Sequence, residues 1–384
     1  MRTTQKSGLM QRLAQVNDPI QIFLWIIGGG LLLVLLFIMA YNILTGFFTP
    51  EDFAQNLIFG LAQGSIYALI ALGYTLVYGV LFMINFAHGE VFMSGAYIGF
   101  FAIHAMNESG FLAAQTGLAL LIVIVVGMAA STTTGILLER IAYRPLRNAP
   151  RLVPLITAIG ASITLQQLFL NLFGGATRTY PNVSLYVLPG IFRTECEIVD
   201  GVEVCKGLDL ISTTYPVQIL GMDLFVRPLY FIVFFLSLVF MGILWFIVQR
   251  TKVGRAMRAV AEDKPTAALM GVNVDRVILI TFVLGAALAG AAAVMFALYN
   301  RQVSAFMGFL PGIKAFTAAV LGGIGNIPGA MAGGLLLGII EAIVPTLLGL
   351  PTQLKDVVAF GVLVLILIFR PSGIFGEVLS KARA

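Results

Sequence analysis

Seven long stretches of this chain carry no charged residue: 19–50, 53–89, 109–138, 152–177, 228–249, 277–300 and 315–340. Each can hold a helix of about 20 residues, the length that crosses about 30 Å of hydrocarbon. The runs are long and do not alternate in polarity, which favours helices over a barrel. Only 11% of the 384 residues are charged, against about 25% in an ordinary soluble domain. That is too little charge for a water-facing surface, and disordered chains are richer in it still. The expected fold is all-α: a polytopic transmembrane helical bundle forming one domain over 1–376, with a short cytoplasmic tail at 377–384.

Crossings are expected near 21–44, 54–79, 85–107, 114–138, 153–174, 228–249 and 277–299. The first follows a polar lead of about 18 residues and exceeds the 7–15 residues of a signal-peptide core, so it should remain as an anchor. The last third is harder to divide. Residues 312–348 are apolar but rich in glycine and proline, and 354–369 make a short final span.

The charges set the sidedness. Arg2, Lys6 and Arg12 outweigh Asp18 at the start, and Arg140, Arg144, Arg147 and Arg151 outweigh Glu139. Six bases in 250–276 face Glu262, Asp263 and Asp275, and Arg370, Lys381 and Arg383 face Glu377. Short basic loops stay in the cytoplasm. Segment 175–226 has three bases against six acids and is expected outside as an extended periplasmic loop. With both termini inside, an odd number of crossings must follow 277–299. Three, with a short broken helix near 312–325, gives ten; one crossing plus a re-entrant part gives eight.

Both cysteines fall in the outside loop. Asp200-Gly201 between β-branched runs signals a two-residue hairpin turn. Such a turn sets Cys196 opposite Cys205 at a non-hydrogen-bonded site, which suits a disulfide in an oxidising exterior. One small β-hairpin is therefore expected here, stapled by that bond.

No G-x-x-x-x-G-K-[ST] or H-E-x-x-H occurs, so neither nucleotide hydrolysis by a P-loop nor a zinc-protease site is expected. No cofactor, metal or nucleic acid is expected on this chain, and no catalytic residue. Polar residues within the apolar stretches are more informative, because they are costly in lipid and usually line a bundle interior or a pathway. Gln63, Tyr67, Tyr74, Asn85, His88 and Glu90 lie among glycines that let helices approach. A second cluster surrounds Asn326, in Gly322-Gly-Ile-Gly-Asn-Ile-Pro-Gly329, and precedes Glu341. Glycine and proline at that density disfavour a continuous helix. These eight residues are the candidate translocation pathway, with helix packing as the plainer reading of each. Residues 84–89 loosely echo 324–329, which hints at an internal repeat of the kind transporters use.

Segment 250–276 stands apart as a cytoplasmic loop. Residues 255–262 are helix-compatible, Pro265 can open a second short helix, and Gly271 can end it. Two short helices between spans make a docking surface; a merely solvated basic loop is the alternative.

Gly60-Leu-Ala-Gln-Gly-Ser-Ile-Tyr-Ala-Leu-Ile-Ala-Leu-Gly-Tyr-Thr-Leu-Val-Tyr-Gly79 followed by Ile84-Asn-Phe-Ala-His-Gly-Glu90 resembles the permease subunits of bacterial branched-chain amino acid ABC importers. Segments 254–272 and 322–329, with Arg370-Pro-Ser-Gly-Ile-Phe-Gly376, resemble the same family. The resemblance implies a multi-pass protein of the bacterial inner membrane. Its partners would be a second, non-identical permease subunit, two cytoplasmic ATP-binding subunits and a periplasmic substrate-binding protein. Its cargo would be leucine, isoleucine and valine; urea, short amides or other amino acids are the alternatives. Thr266-Ala267-Ala268…Gly271 stands where such permeases carry E-A-A…G, without the Glu and with shorter spacing. The coupling loop would then present Gly254, Arg255, Arg258, Glu262, Asp263, Ala267, Ala268 and Gly271 to the ATPase. An ion-coupled carrier is the contrasting class, and it would need mid-membrane carboxylates such as Glu90 or Glu341.

Overall fold

A computed structural model describes residues 37–147, 149–150, 152–185, 196–199, 202–205, 208–209, 211, 213–219, 221–369 and 373–375. The first expected crossing lies mostly outside these residues; only 37–44 are seen, as helix. The helices that follow are α1 (Pro50–Leu81), α2 (His88–Glu108), α3 (Thr116–Leu138), α4 (Leu152–Phe173) and α5 (Pro228–Arg250). Two short helices come next, α6 (Lys252–Glu262) and α7 (Lys264–Leu269). The last four are α8 (Val274–Asn300), α9 (Phe309–Gly322), α10 (Ile327–Leu347) and α11 (Lys355–Phe369). Six of the described helices, α1, α3, α4, α5, α8 and α10, are long and apolar enough to cross a membrane.

Helix starts follow local side-chain chemistry. Thr49 and Asp52 form a capping box ahead of Pro50, which satisfies amide groups that have no partner within the helix. Asn273 and Asn326 do the same for α8 and α10 through their side-chain oxygens.

α1 is the axis of the bundle and packs on α10, α8, α9 and α5. Glycines make that packing close. A Cβ on Gly64 would lie 2.8 Å from the carbonyl oxygen of Gly334, and one on Gly285 would lie 3.3 Å from the Cα of Gly73. Here the structure corrects the sequence reading of 312–348. α9 is an unbroken helix of 14 residues, and α10 runs continuously through Gly329, Gly333, Gly334, Gly338 and Pro345. The break is confined to 323–326, where Gly323 and Gly325 take φ of 99° and 96°. The other glycines serve contact with α1 and α9.

The loops sort into two ends. At one end Arg178–Thr179 (β1) pairs with Gln302–Val303 (β8), and Asn42 donates to the carbonyl of Leu347. At the other end Tyr143 donates to Asn85 at 2.6 Å, and Arg147 pairs with Glu139 and Asp275. There too the amide of Ile374 donates to the carbonyl of Leu321. The basic segments 139–147 and 250–276 thus share an end with 373–375, and the described parts of 175–226 that pack on the bundle, Arg178–Thr179 and Met222–Val226, lie at the opposite one.

Segment 175–226 holds more strand than the single hairpin expected. Cys196–Val199 (β3) and Val202–Cys205 (β4) pair in the anticipated register, with Cys196 opposite Cys205. A second hairpin joins Tyr215–Ile219 (β6) to Met222–Val226 (β7), and Ser184–Leu185 (β2) pairs with Leu208–Asp209 (β5). Gly221, at φ 82°, makes the second turn possible. The inner face of β7 packs Leu224 and Val226 on the first turns of α1.

Candidate functional site

A cavity of about 390 Å³ opens at the end that carries the strands, between α1, α8, α9, the 302–307 segment and the start of α11. That size is typical of a small-molecule site. Phe296, Phe306, Met307 and Leu310 supply an apolar wall, and Gln63, Tyr67, Lys314 and Asp356 also line it.

The floor is charged. Lys314, only 4% exposed, reaches Glu341 Oε1 at 2.7 Å and Asp356 Oδ1 at 2.5 Å. Gln63 donates to Glu341 at 3.0 Å and to the Tyr67 hydroxyl at 2.6 Å. The Tyr67 ring also lies 5.7 Å from the ammonium of Lys314, in cation–π range. A buried ammonium is tolerable only with such partners. Glu341 Oε2 has no hydrogen-bond partner among the described residues.

A second group of the predicted residues lies farther along α1. Tyr67 and Tyr74 are two helical turns apart, about 10 Å along the axis. Tyr74 meets the His88 ring edge-on at 4.8 Å and Phe316 at 6.1 Å. Beyond them Tyr74, Tyr78, Ile84, Phe316, Ala319 and Ile324 border a narrow crevice near the opposite end. One face of α1, opposed by α9, therefore carries a cavity, an aromatic constriction and a crevice in sequence.

His88 and Glu90 are deep because α2 and α9 both begin inside the bundle. Gly89 faces Gly308 so closely that a Cβ on Gly89 would lie 2.5 Å from the Gly308 carbonyl oxygen. Glu90 sits in the first turn of α2, where the helix dipole favours a carboxylate. Gln166 donates to its Oε1 at 2.6 Å and Ser162 at 3.2 Å, both from α4.

The remaining predictions separate. Asn326 stands away from the cavity: its oxygen caps α10, and its Nδ2 donates to the carbonyl of Phe375. In the 250–276 loop, α6 and α7 form as expected and Gly271, at φ 84°, follows α7. Gly254 and Ala267 are buried against the bundle, whereas Arg255, Glu262, Asp263, Ala268 and Gly271 are exposed. Arg258 donates to the carbonyl of Val248 at the end of α5. Thr266 donates to Asp263 through both its hydroxyl and its amide, which holds that carboxyl below its ordinary range. Leu269 and Met270 project into the surroundings, 88% and 79% exposed.

The sequence reading missed Lys314 and Asp356. A single lysine bordering the apolar run 315–340 was the available signal, since an ionisable residue at membrane depth implies a partner. Among the described residues, no cluster of three or more His, Cys, Asp or Glu side chains could hold a metal ion.

The family described as branched-chain amino acid transport system / permease component matches residues 56–367. The high-affinity branched-chain amino acid transport system permease protein BraD of Pseudomonas aeruginosa is 45% identical, over 85% of this chain and 98% of that protein. LivH of Escherichia coli, which bears the same description, is 42% identical over 85% of this chain and 96% of that protein. A probable branched-chain amino acid transport permease, LivH of Methanocaldococcus jannaschii, is 25% identical over 77% of this chain. No solved structure matches the chain.

Proposed function

This chain belongs to the branched-chain amino acid permease family, and from that premise we propose that it is the membrane-spanning permease subunit of an ATP-driven importer for leucine, isoleucine and valine. The observation that carries the reading is the cavity. An apolar wall over a charged floor suits a small zwitterion with an apolar side chain.

The route runs along the face of α1 opposed by α9. It enters at Gln63, Tyr67 and Glu341, passes the Tyr74–His88–Phe316 constriction, and leaves near Asn85 and the turn that Asn326 caps. Glu90 holds α2 and α4 around it. The end bearing 139–147, 250–276 and 373–375 is cytoplasmic, which agrees with its basic charge. Ten crossings follow if residues before 44 supply the first and 301–322 count as one. The membrane is the bacterial inner membrane. Cys196 and Cys205 form a disulfide that staples the periplasmic hairpin, in keeping with their paired register.

ATP is hydrolysed on two separate subunits, because this chain has no P-loop. They dock on the exposed face of α6–α7, where Arg255, Ala268, Leu269 and Met270 are accessible. A second, non-identical permease subunit and a periplasmic binding protein complete the importer.

The test is uptake by proteoliposomes holding both permeases and the ATPases, with binding protein on the outside. Leucine, isoleucine and valine should accumulate only with ATP and binding protein, and urea should not compete. Uptake that persists without ATP but collapses with the ion gradient would replace this reading with an ion-coupled carrier. Full-specificity leucine uptake without the binding protein would move selectivity into the permease.

A further inference from the structure

The ionic floor of the cavity has two unlike halves. Lys314 and Glu341 are both buried, with side chains 6% and 1% exposed, and Gln63 and Tyr67 hold Glu341 from α1. Asp356 is 33% exposed, sits in the first turn of α11 and borders the open cavity. Lys314 therefore has one fixed partner and one exchangeable partner.

An α-amino acid brings one carboxylate and one ammonium. We propose that its head group is received by insertion between Lys314 and Asp356. The substrate carboxylate takes the place of Asp356 at Lys314, and the substrate ammonium takes the place of Lys314 at Asp356. This rests on the importer reading above and adds to it a binding site within the permease chain.

Three features support the exchange. It conserves pairing within the Lys314–Glu341–Asp356 cluster, whose three charges each have a partner before and after, so no buried ion is left uncompensated; Lys355, exposed at the cavity rim, stands outside the exchange. A lone acid or a lone amine cannot do this, because it leaves one of the two residues unpaired. The apolar wall of Phe296, Phe306, Met307 and Leu310 has room for a hydrocarbon side chain and offers it no specific hydrogen bond. A hydrophobic wall separates side chains differing by one methylene only weakly, so leucine, isoleucine and valine should bind alike. Opening the Lys314–Asp356 pair also frees the first turn of α11 from α9, which links occupancy to the position of a helix.

The experiment uses the complete permease–ATPase complex in nanodiscs, without binding protein. Phe306→Trp places a fluorophore on the cavity rim, and the same complex without the substitution gives the background from Trp25, Trp245 and the other subunits. Leucine, isovalerate and isoamylamine are titrated in turn. Leucine should give a saturable change, and each singly charged analogue should bind about tenfold or more weakly, the scale of one lost charge-assisted contact. Asp356→Asn should abolish the preference of leucine over isovalerate while keeping its preference over isoamylamine; Lys314→Gln should do the converse. Asp356→Asn retains the Lys314–Glu341 pair, so it remains informative if Lys314→Gln does not fold. Equal binding of all three ligands, or discrimination unchanged in Asp356→Asn, overturns the proposal. Leucine uptake by the intact system with a silent cavity overturns it and leaves the importer reading standing; no uptake and no response sinks both.

Discussion

The most apolar stretches of α1 and α4 match in hydropathy, yet 83% of that stretch is buried in α1 and only 17% in α4. Hydropathy alone places both in a membrane and says nothing about which is central. The difference lies in small and polar residues. α1 presents Gly60, Gly64 and Gly73 to the backbones of α10 and α8, Gln63 and Tyr67 to the cavity, and Tyr74 to the constriction beyond it. α4 turns Leu152, Ile156, Ile159, Ile163, Leu168 and Leu172 outward. Between helices in lipid there is little hydrophobic drive, so close backbone approach and polar contacts decide what packs inside.

The largest expected effect tests that contrast at glycine. Gly64→Leu would drive a side chain into the backbone of α10 at Gly334 and Leu335. No monodisperse protein should be recovered after detergent extraction. The same change at Gly160, which has no atom within 4 Å of its would-be Cβ, should shift stability by less than about 0.5 kcal/mol. Equal loss at both positions would mean that α4 is covered by a subunit rather than by lipid.

Next in size is the ionic floor. Lys314→Met strands Glu341 in the interior and should cost about 3–5 kcal/mol, read as a lower thermal midpoint. Lys314→Met with Glu341→Met should recover most of that loss, because a buried pair replaced by apolar groups is often nearly neutral. Transport should not recover with it. A double variant as unstable as the single one would show that Lys314 is held mainly by Asp356.

The legible and illegible parts of the molecule divide along the same line. Charges lie at the ends of most spans, so span limits could be read from them, and the turn expected at Asp200-Gly201, two residues outside the described ones, implied the register in which Cys196 and Cys205 are found opposite each other. Pro265 and Gly271 marked the second short helix of the 250–276 loop for equally local reasons. Whether a glycine breaks a helix or seats another against it depends on a neighbour far away in sequence. Gly334 and Gly338 therefore read as breakers, although they face Ala68 and Gly64 inside a continuous helix. In sequence Lys314 reads as the boundary of the apolar run 315–340, because a charge looks like a span end until its partners are known. Its partner Glu341 lies on a different helix, 27 residues away. Asp356 lies on a third helix.

A smaller effect should appear where α4 does reach inward. Gln166→Leu removes the shorter of the two hydrogen bonds from α4 to Glu90 and leaves a buried carboxylate underserved. The expected cost is about 1–3 kcal/mol. Asn171→Leu, on the exposed face of the same helix, should be close to neutral. Indifference to Gln166→Leu would remove the shorter of the two polar ties that distinguish α4 from a purely lipid-facing helix.

The smallest effect on stability, and a large one on function, is expected at the tip of the 250–276 loop. Leu269 and Met270 are as exposed as any large apolar side chain on α4, but they lie beside charged residues at the end of the bundle that carries the basic segments. With that end in the cytoplasm, as proposed above, the two adjacent apolar groups gain nothing from lipid, and a docked subunit would cover them. Leu269→Ser with Met270→Ser should therefore leave the thermal midpoint of the isolated permease unchanged, within about 0.5 kcal/mol. In the assembled importer the same pair should weaken ATPase co-purification and uncouple hydrolysis from uptake. Arg255→Glu, on the exposed face of α6, should add to that loss without altering insertion. Arg258 is a poorer probe, because its guanidinium also holds the end of α5 through the Val248 carbonyl. Normal coupling in the Leu269/Met270 pair would place the ATPase contact elsewhere on this end, with the 139–147 segment the next surface to probe.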